Sequence, residues 1–317
     1  MLGILPAVHY FSGMKESYHI CFTSHNEVMF RDEEDHGMFV NLMALRVFAS
    51  EADLLADAEM STHVHLNALI SEPMSFASRL RMCYTKYFNA KYGREGRFGE
   101  KFTFLQRVEG FNHQLVVMNY IDRNGLHHAA AATALGYPYS SVRSMFARDI
   151  GLAEDPPVPM SRQDIAAWLP RRSEFPDTFQ MNAKGVFVRS SFMELRQAEY
   201  FYGSPRNFLY QMNRLTDETW ERGQLEDNTG KPIRLQDLEP ADERSIAQML
   251  KNEYGKNFNP NTLQDMDVCR LIDRDLLPSY GVTSVYQLTP SQKRRIARQL
   301  LNEFRLPEHQ IRRCLVL

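Results

Sequence analysis

The sequence predicts an α+β fold in which one antiparallel sheet carries packed helices, followed by a mostly α-helical C-terminal region. Two observations carry that expectation. Over residues 1–150, stretches of period-two alternation and of helical periodicity follow one another as strand, helix, paired strands, helix, strand, helix. Over residues 151–317 almost every periodic stretch is helical. The 317 residues, 44% hydrophobic and 24% charged, suffice for two domains with their own cores.

"YHICFTS" at 18–24 reads as the first strand. "DEEDHGMFVNLMALRVFASEA" at 32–52 opens with acidic residues and places Phe39, Leu42 and Met43 at helical spacing, so an amphipathic helix is expected. "DLLADAEMSTHVHLNALI" at 53–70 contains two strand-like pieces. "FASRLRMCYTKYFNAKY" at 76–92 reads as a second helix, ended by the turn signals at 93–99. A short strand in "KFTFLQRVE" precedes a third helix, "NHQLVVMNYIDRNGLH", which Asn112 should cap and Gly125 can stop. "GLAEDPPVPMS" at 151–161 is Pro-rich and aperiodic, which marks a linker and the expected domain boundary. No internal repeat or low-complexity tract is evident.

Cys21, Cys83, Cys269 and Cys314 are scattered without a CxxC pair, so neither a thiolate zinc site nor a disulfide framework is suggested. The apolar start "MLGILPAVHYF" lacks a basic n-region, and no run approaches the ~18 apolar residues of a membrane span. A soluble, cytoplasmic protein without a membrane partner is expected. The net charge of −2 argues against general coating of nucleic acid, but it hides two basic stretches. One holds Arg79, Arg81, Lys86, Lys91, Arg94, Arg97, Lys101 and Arg107. The other holds Lys293, Arg294, Arg295, Arg298, Arg305, Arg312 and Arg313. Either fits a solvated face as well as a nucleic-acid surface.

His63 and His65 stand one residue apart in "STHVHLNALI", so on a strand both side chains share one face while Val64 and Leu66 take the other. Such a pair can bind a divalent cation but does not complete its coordination; two imidazoles on a wet strand face are the plainer alternative. Tyr120 and Asn124 sit at i and i+4 on the third expected helix and share a face that could lie over the strand.

Five ordered blocks, "YHICFTSHNEVMFRDEEDHGMF", "MSTHVHLNALI", "YTKYFNAKYGREGRFGEKF", "NYIDRNGLHHA" and "YPYSSVRSMF", resemble the single-tyrosine HUH transposases of the IS200-like type, and most of all the REP-associated tyrosine transposase branch. The resemblance spans 18–146. It implies a ferredoxin-like HUH domain over 1–150 and gives His63 and His65 the role of Mg2+ or Mn2+ ligands, with Asn124 as a further ligand and Tyr120 as the nucleophile. It further implies nicking and rejoining of single-stranded DNA at hairpin-forming repeats through a 5′-phosphotyrosine, with the Arg79 to Lys101 cations along the DNA backbone. Relatives act as monomers or homodimers, and no interface can be read here. Two departures stand out: Ser61-Thr62 replaces the usual Pro-Asn before the first histidine, and Asn124-Gly125 replaces Asn-Pro.

"LTPSQKRRIARQLLNEFRLPEHQIRRCL" reads as two helices broken before Pro307, which suggests a DNA-binding helix-turn-helix over 289–317 with Gln310, Arg312 and Arg313 facing a major groove. A plain helical hairpin is the alternative. Residues 161–281 carry no motif that suggests a family. The enzyme has one rival from another class, a domesticated, non-catalytic, sequence-specific DNA-binding regulator. A metal hydrolase of small substrates would need more carboxylate ligands and would leave the basic runs unexplained.

Overall fold

In the computed structural model, which describes residues 14–24, 26–99, 103–152, 155–216, 221, 233–238, 241–254 and 257–317, four strands form one antiparallel sheet. They are β1 (Glu16–Thr23), β2 (Asp53–Met60), β3 (His63–Ile70) and β4 (Phe104–Arg107), in the order β2-β3-β1-β4. Helix α1 (Glu33–Ala49) joins β1 to β2, and α2 (Pro73–Tyr92) joins β3 to β4. The alternation read from the sequence decides what each face carries. Ile20, Phe22, Val64, Leu66, Ala68 and Ile70 point into a core with Phe39, Met43, Phe76, Leu80, Tyr84 and Phe88 of the two helices. Each fully buried Val, Leu, Ile, Phe or Met among them contributes about 1.5–3 kcal/mol.

α1 starts where expected, with the Asp32 carboxylate accepting from the Asp35 N–H and acidic residues lining its first turn. α2 carries Pro73 in its first turn and ends on Gly93 in the left-handed conformation at φ +62°. The third helix, α3 (Gly110–Asp122), covers the opposite sheet face, where Val117, Tyr120 and Ile121 pack with Leu55, Ala56 and Ala58 of β2. It begins two residues before Asn112, which therefore lies inside the helix and does not cap it. A one-turn helix, α4 (Asn124–His127), follows at once.

Residues on both sides of the expected linker share the cores of the sheet. Ile165, Leu169, Phe175, Phe179 and Phe187 extend the α1/α2 core, and the Asn41 carboxamide bonds the backbone of Gly185 and Phe187 at 2.8 Å each. Helices α5 (Leu195–Tyr202), α6 (Pro205–Asn213) and α7 (Glu243–Asn252) extend the α3 core. Periodicity could not reveal this, because it shows which face of a segment is apolar and not what that face meets. The last segment does build its own core, from α8 (Asp265–Leu271), α9 (Pro290–Glu303) and α10 (Glu308–Leu315). Arg31 joins it to the sheet: its guanidinium takes both Asp273 carboxylate oxygens, at 2.7 and 3.0 Å, and the Cys314 carbonyl at 2.9 Å. Among the described residues, no helix is long and apolar enough to cross a membrane.

Candidate functional site

The alternation of β3 puts His63, His65 and Asn67 on the α3 face of the sheet. Antiparallel pairing sets Cys21 opposite His65 and His19 opposite Asn67, so β1 adds its own polar side chains to that face. α3 lies over them. The Tyr120 ring stands edge-on to His65, with centroids 5.2 Å apart, and edge-on to His19 at 5.9 Å. On its far side it stacks against His127 at 5.5 Å. One turn beyond Tyr120, the buried Asn124 brings its Oδ1 to 3.5 Å from His63 Nε2. The His63 ring also lies 5.0 Å from His65 and 4.8 Å from His128.

Two ligands each about 2.1 Å from one cation stand about 3.0–3.4 Å apart at octahedral to tetrahedral angles. His63 Nε2 and Asn124 Oδ1 come close to that separation, and the Asn124 Nδ2 is buried without a hydrogen-bond partner. An imidazole nitrogen with an amide oxygen suits Mg2+ or Mn2+ less than carboxylates would, but it leaves the cation's charge available to an anion. His65 is arranged differently. Its Nδ1 is 3.0 Å from His19 Nε2, and its Nε2 faces the Cys21 sulfur at 4.0 Å, so both ring nitrogens turn toward β1. Among the described residues, no three His, Cys, Asp or Glu side chains converge as a cation site.

Ser61-Thr62 and Gly125, which depart from the resembled motifs, have local explanations. A Cβ on Gly125 would come within 2.4 Å of the Tyr137 ring, so only glycine admits that ring, whose hydroxyl donates to the Glu59 carbonyl at 2.7 Å. The Ser61-Thr62 turn is tied down on both sides. The Thr62 carbonyl accepts from the Ser24 N–H at 2.7 Å, and the Ser61 hydroxyl donates to Asp265 at 2.7 Å.

Asp265 also decides the fate of two residues expected to touch DNA. Gln310 donates to its Oδ1 at 3.0 Å and to the Leu263 carbonyl at 2.8 Å, and Arg313 donates to the same Oδ1 at 2.7 Å. Both therefore fasten α10 to α8, and Gln310 is buried. Arg312 alone of the three is exposed, 3.7 Å from Glu308 one turn earlier. The first basic stretch divides in the same way. α2 lies on the sheet face opposite the histidines. Lys91 is held by Asp32, Glu34 and Asp35 at 2.9–3.0 Å, Arg94 pairs with Glu27 and covers the Phe98 ring, and Arg81 is buried. Arg79, Lys86 and Arg97 are exposed, and Lys101 lies outside the described residues.

The sequence reading missed a second layer behind Tyr120. His127 Nε2 is 2.8 Å from Glu253 Oε1, and the same carboxylate meets Arg123 at 3.2 Å and the Thr216 N–H at 2.6 Å. Burial alone would raise the Glu253 carboxyl, but the His127 hydrogen bond and the Arg123 guanidinium outweigh it and hold it at about 2. Separation of 126 residues hid this pair. His19 was legible in principle, from the His-Ile-Cys-Phe alternation of β1. A cleft of about 930 Å³ opens beside the cluster, lined by His63, His127 and His128 on one side and by Arg244, Gln248 and His309 on the other.

Comparison with known proteins adds little to this geometry. No family model matches the sequence. No curated protein matches it. A solved structure of a REP-associated tyrosine transposase bound to a REP hairpin is similar to 47% of this chain and 89% of its own, at 11% identity and a TM-score of 0.37. That likeness is distant.

Proposed function

We propose that the protein is a metal-dependent, single-tyrosine HUH enzyme of the REP-associated transposase branch, which nicks and rejoins single-stranded DNA at hairpin-forming repeats. One observation carries the reading: β3 and the α3–α4 segment, some 55 residues apart, bring His63, His65, Tyr120 and Asn124 to one sheet face with their rings and amide in contact range. The βαββαβ order with sheet order β2-β3-β1-β4 supports a ferredoxin-like HUH domain.

In this reading the Tyr120 phenol gives up its proton and its oxygen attacks phosphorus. The bond to the 3′ oxygen breaks, leaving a free 3′-hydroxyl and a 5′-phosphotyrosine that keeps the bond energy for rejoining. His63 and Asn124 would hold Mg2+ or Mn2+, and His65 would join them once its ring leaves His19 and Cys21. When bound, the cation polarises a non-bridging oxygen and steadies the charge of the transition state. The exposed cations Arg79 and Lys86, and Arg294, Arg295, Arg298 and Arg312 of the C-terminal helix pair, would meet the DNA backbone. That pair would then act as a DNA-binding helix-turn-helix through its exposed arginines.

A second reading, a non-catalytic DNA-binding regulator, is favoured by the burial of Tyr120, which is 3% exposed, and by the engagement of His65 with β1. Labelled hairpin DNA and Mn2+ separate the two. The enzyme forms a denaturation-resistant protein–DNA adduct, which Tyr120→Phe abolishes with DNA affinity nearly unchanged. DNA binding without any adduct across varied hairpins would establish the regulator.

A further inference from the structure

The segment after α4 runs back along β2, where Ser140 bridges to Ala58 and the Glu59 N–H donates to the Tyr139 carbonyl at 2.9 Å. This places Ser140 and Arg143 in the wall of a second cavity, of about 410 Å³, closed by the start of α1 and by residues 182–189. Tyr139 and His36 border both this cavity and the cleft beside His63.

The charges around the cavity do not balance pair by pair. Glu33 meets Arg270 at 3.1 Å, Glu59 meets Arg189 at 2.9 Å, and Asp155 meets Lys184 at 2.9 Å. Arg189 takes Asp57 as well, at 2.8 Å. Every carboxylate in the wall is thus matched, while Arg143 has no acidic partner among the described residues and its Nε is buried without an acceptor. Ser140 is 3% exposed, and its hydroxyl is also buried without a hydrogen-bond partner among the described residues. Native proteins seldom leave such groups unmet, and a guanidinium and a hydroxyl in the wall of one cavity are suited to a phosphate. The rest of the wall includes Val40, Phe187 and Val188, which offer apolar surface, and the volume falls in the range of small-ligand pockets.

We propose that this cavity binds a phosphate ester of nucleotide size, with the Arg143 guanidinium and the Ser140 hydroxyl on the phosphate and the apolar wall against the remainder. The ligand is either a free nucleotide or an unpaired nucleotide of a strand that passes Tyr139 from the neighbouring cleft. The inference does not require that the protein cut DNA.

Calorimetric titration of the full chain with inorganic phosphate, deoxynucleoside 5′-monophosphates and a short unstructured oligodeoxynucleotide tests it. At least one nucleotide probe should bind, more weakly as salt rises. Arg143→Ala should weaken that binding about tenfold or more, Arg143→Lys less, and Ser140→Ala by about threefold or more. Binding of monophosphates supports the free nucleotide, and binding of the oligonucleotide alone supports the strand. Tyr120→Phe should bind as wild type does, so loss of the cutting reading would leave this result standing. Arg143 has no acidic partner among the described residues, so its variants should keep the wild-type melting temperature. Absence of binding by every probe at millimolar concentration, or equal binding by folded Arg143→Ala and wild type, would overturn the proposal.

Discussion

The two faces of the sheet bury different chemistry. Toward α1 and α2, strands β1 and β3 bury only apolar side chains, and the charges buried there come from β2 and α1 and are matched by cations, as Asp35 is by Lys91 and Glu59 by Arg189. Toward α3 the same two strands bury His19, His65 and Asn67, with Asn124 and Asp122 from the covering helices. Burial raises the Asp122 carboxyl to about 7 against the pull of its hydrogen bonds from Tyr202 and Ser141. An apolar face secures stability cheaply, whereas a buried polar face costs desolvation and is kept where function needs it. The contrast agrees with the proposed chemistry on the α3 side and leaves much of the basic helix α2 with structural work.

The largest test of that contrast lies behind Tyr120. Glu253 is lowered from its ordinary value of 4.5 to about 2, so its stabilisation is complete above pH 4.5 and is lost as pH falls toward 2. That shift corresponds to about 3 kcal/mol. Between pH 4.5 and 2, the unfolding free energy of wild type should therefore fall more steeply than that of Glu253→Gln; parallel curves would remove Glu253 as a strut of the polar face. Next comes Lys91→Ala, which leaves the buried Asp35 carboxylate without its cation and should cost about 2 kcal/mol in denaturant melts. Adduct formation by the folded variant should persist. A loss of DNA affinity with unchanged stability would instead make Lys91 a DNA contact. The smallest effect is expected for Arg79→Ala with Lys86→Ala, both exposed on the far side of α2, where stability should move by less than about 0.5 kcal/mol. Any loss of DNA affinity should be uniform across sequences.

Local chemistry made the element order legible. The acidic start of α1, the Pro73 and Gly93 boundaries of α2 and the alternation of β3 are each written within a few residues. What the sequence concealed were pairings across long separations. Lys91 looked like a DNA contact until α1 brought Asp32 and Asp35 beside it, and Gln310 and Arg313 looked like groove readers until α8 brought Asp265. The histidine spacing placed His63 and His65 on one face, but only the neighbouring strand turns His65 toward His19. Periodicity fixes the face a residue takes on its own element, and tertiary packing fixes which charge waits there.

The central claim is that Tyr120 forms the covalent bond to DNA. After reaction with hairpin DNA and Mn2+, nuclease digestion and peptide mass spectrometry should find the residual nucleotide on the peptide containing Tyr120, attached through phosphate to that tyrosine. Attachment to any other residue, or DNA bound without a covalent adduct, would contradict the account.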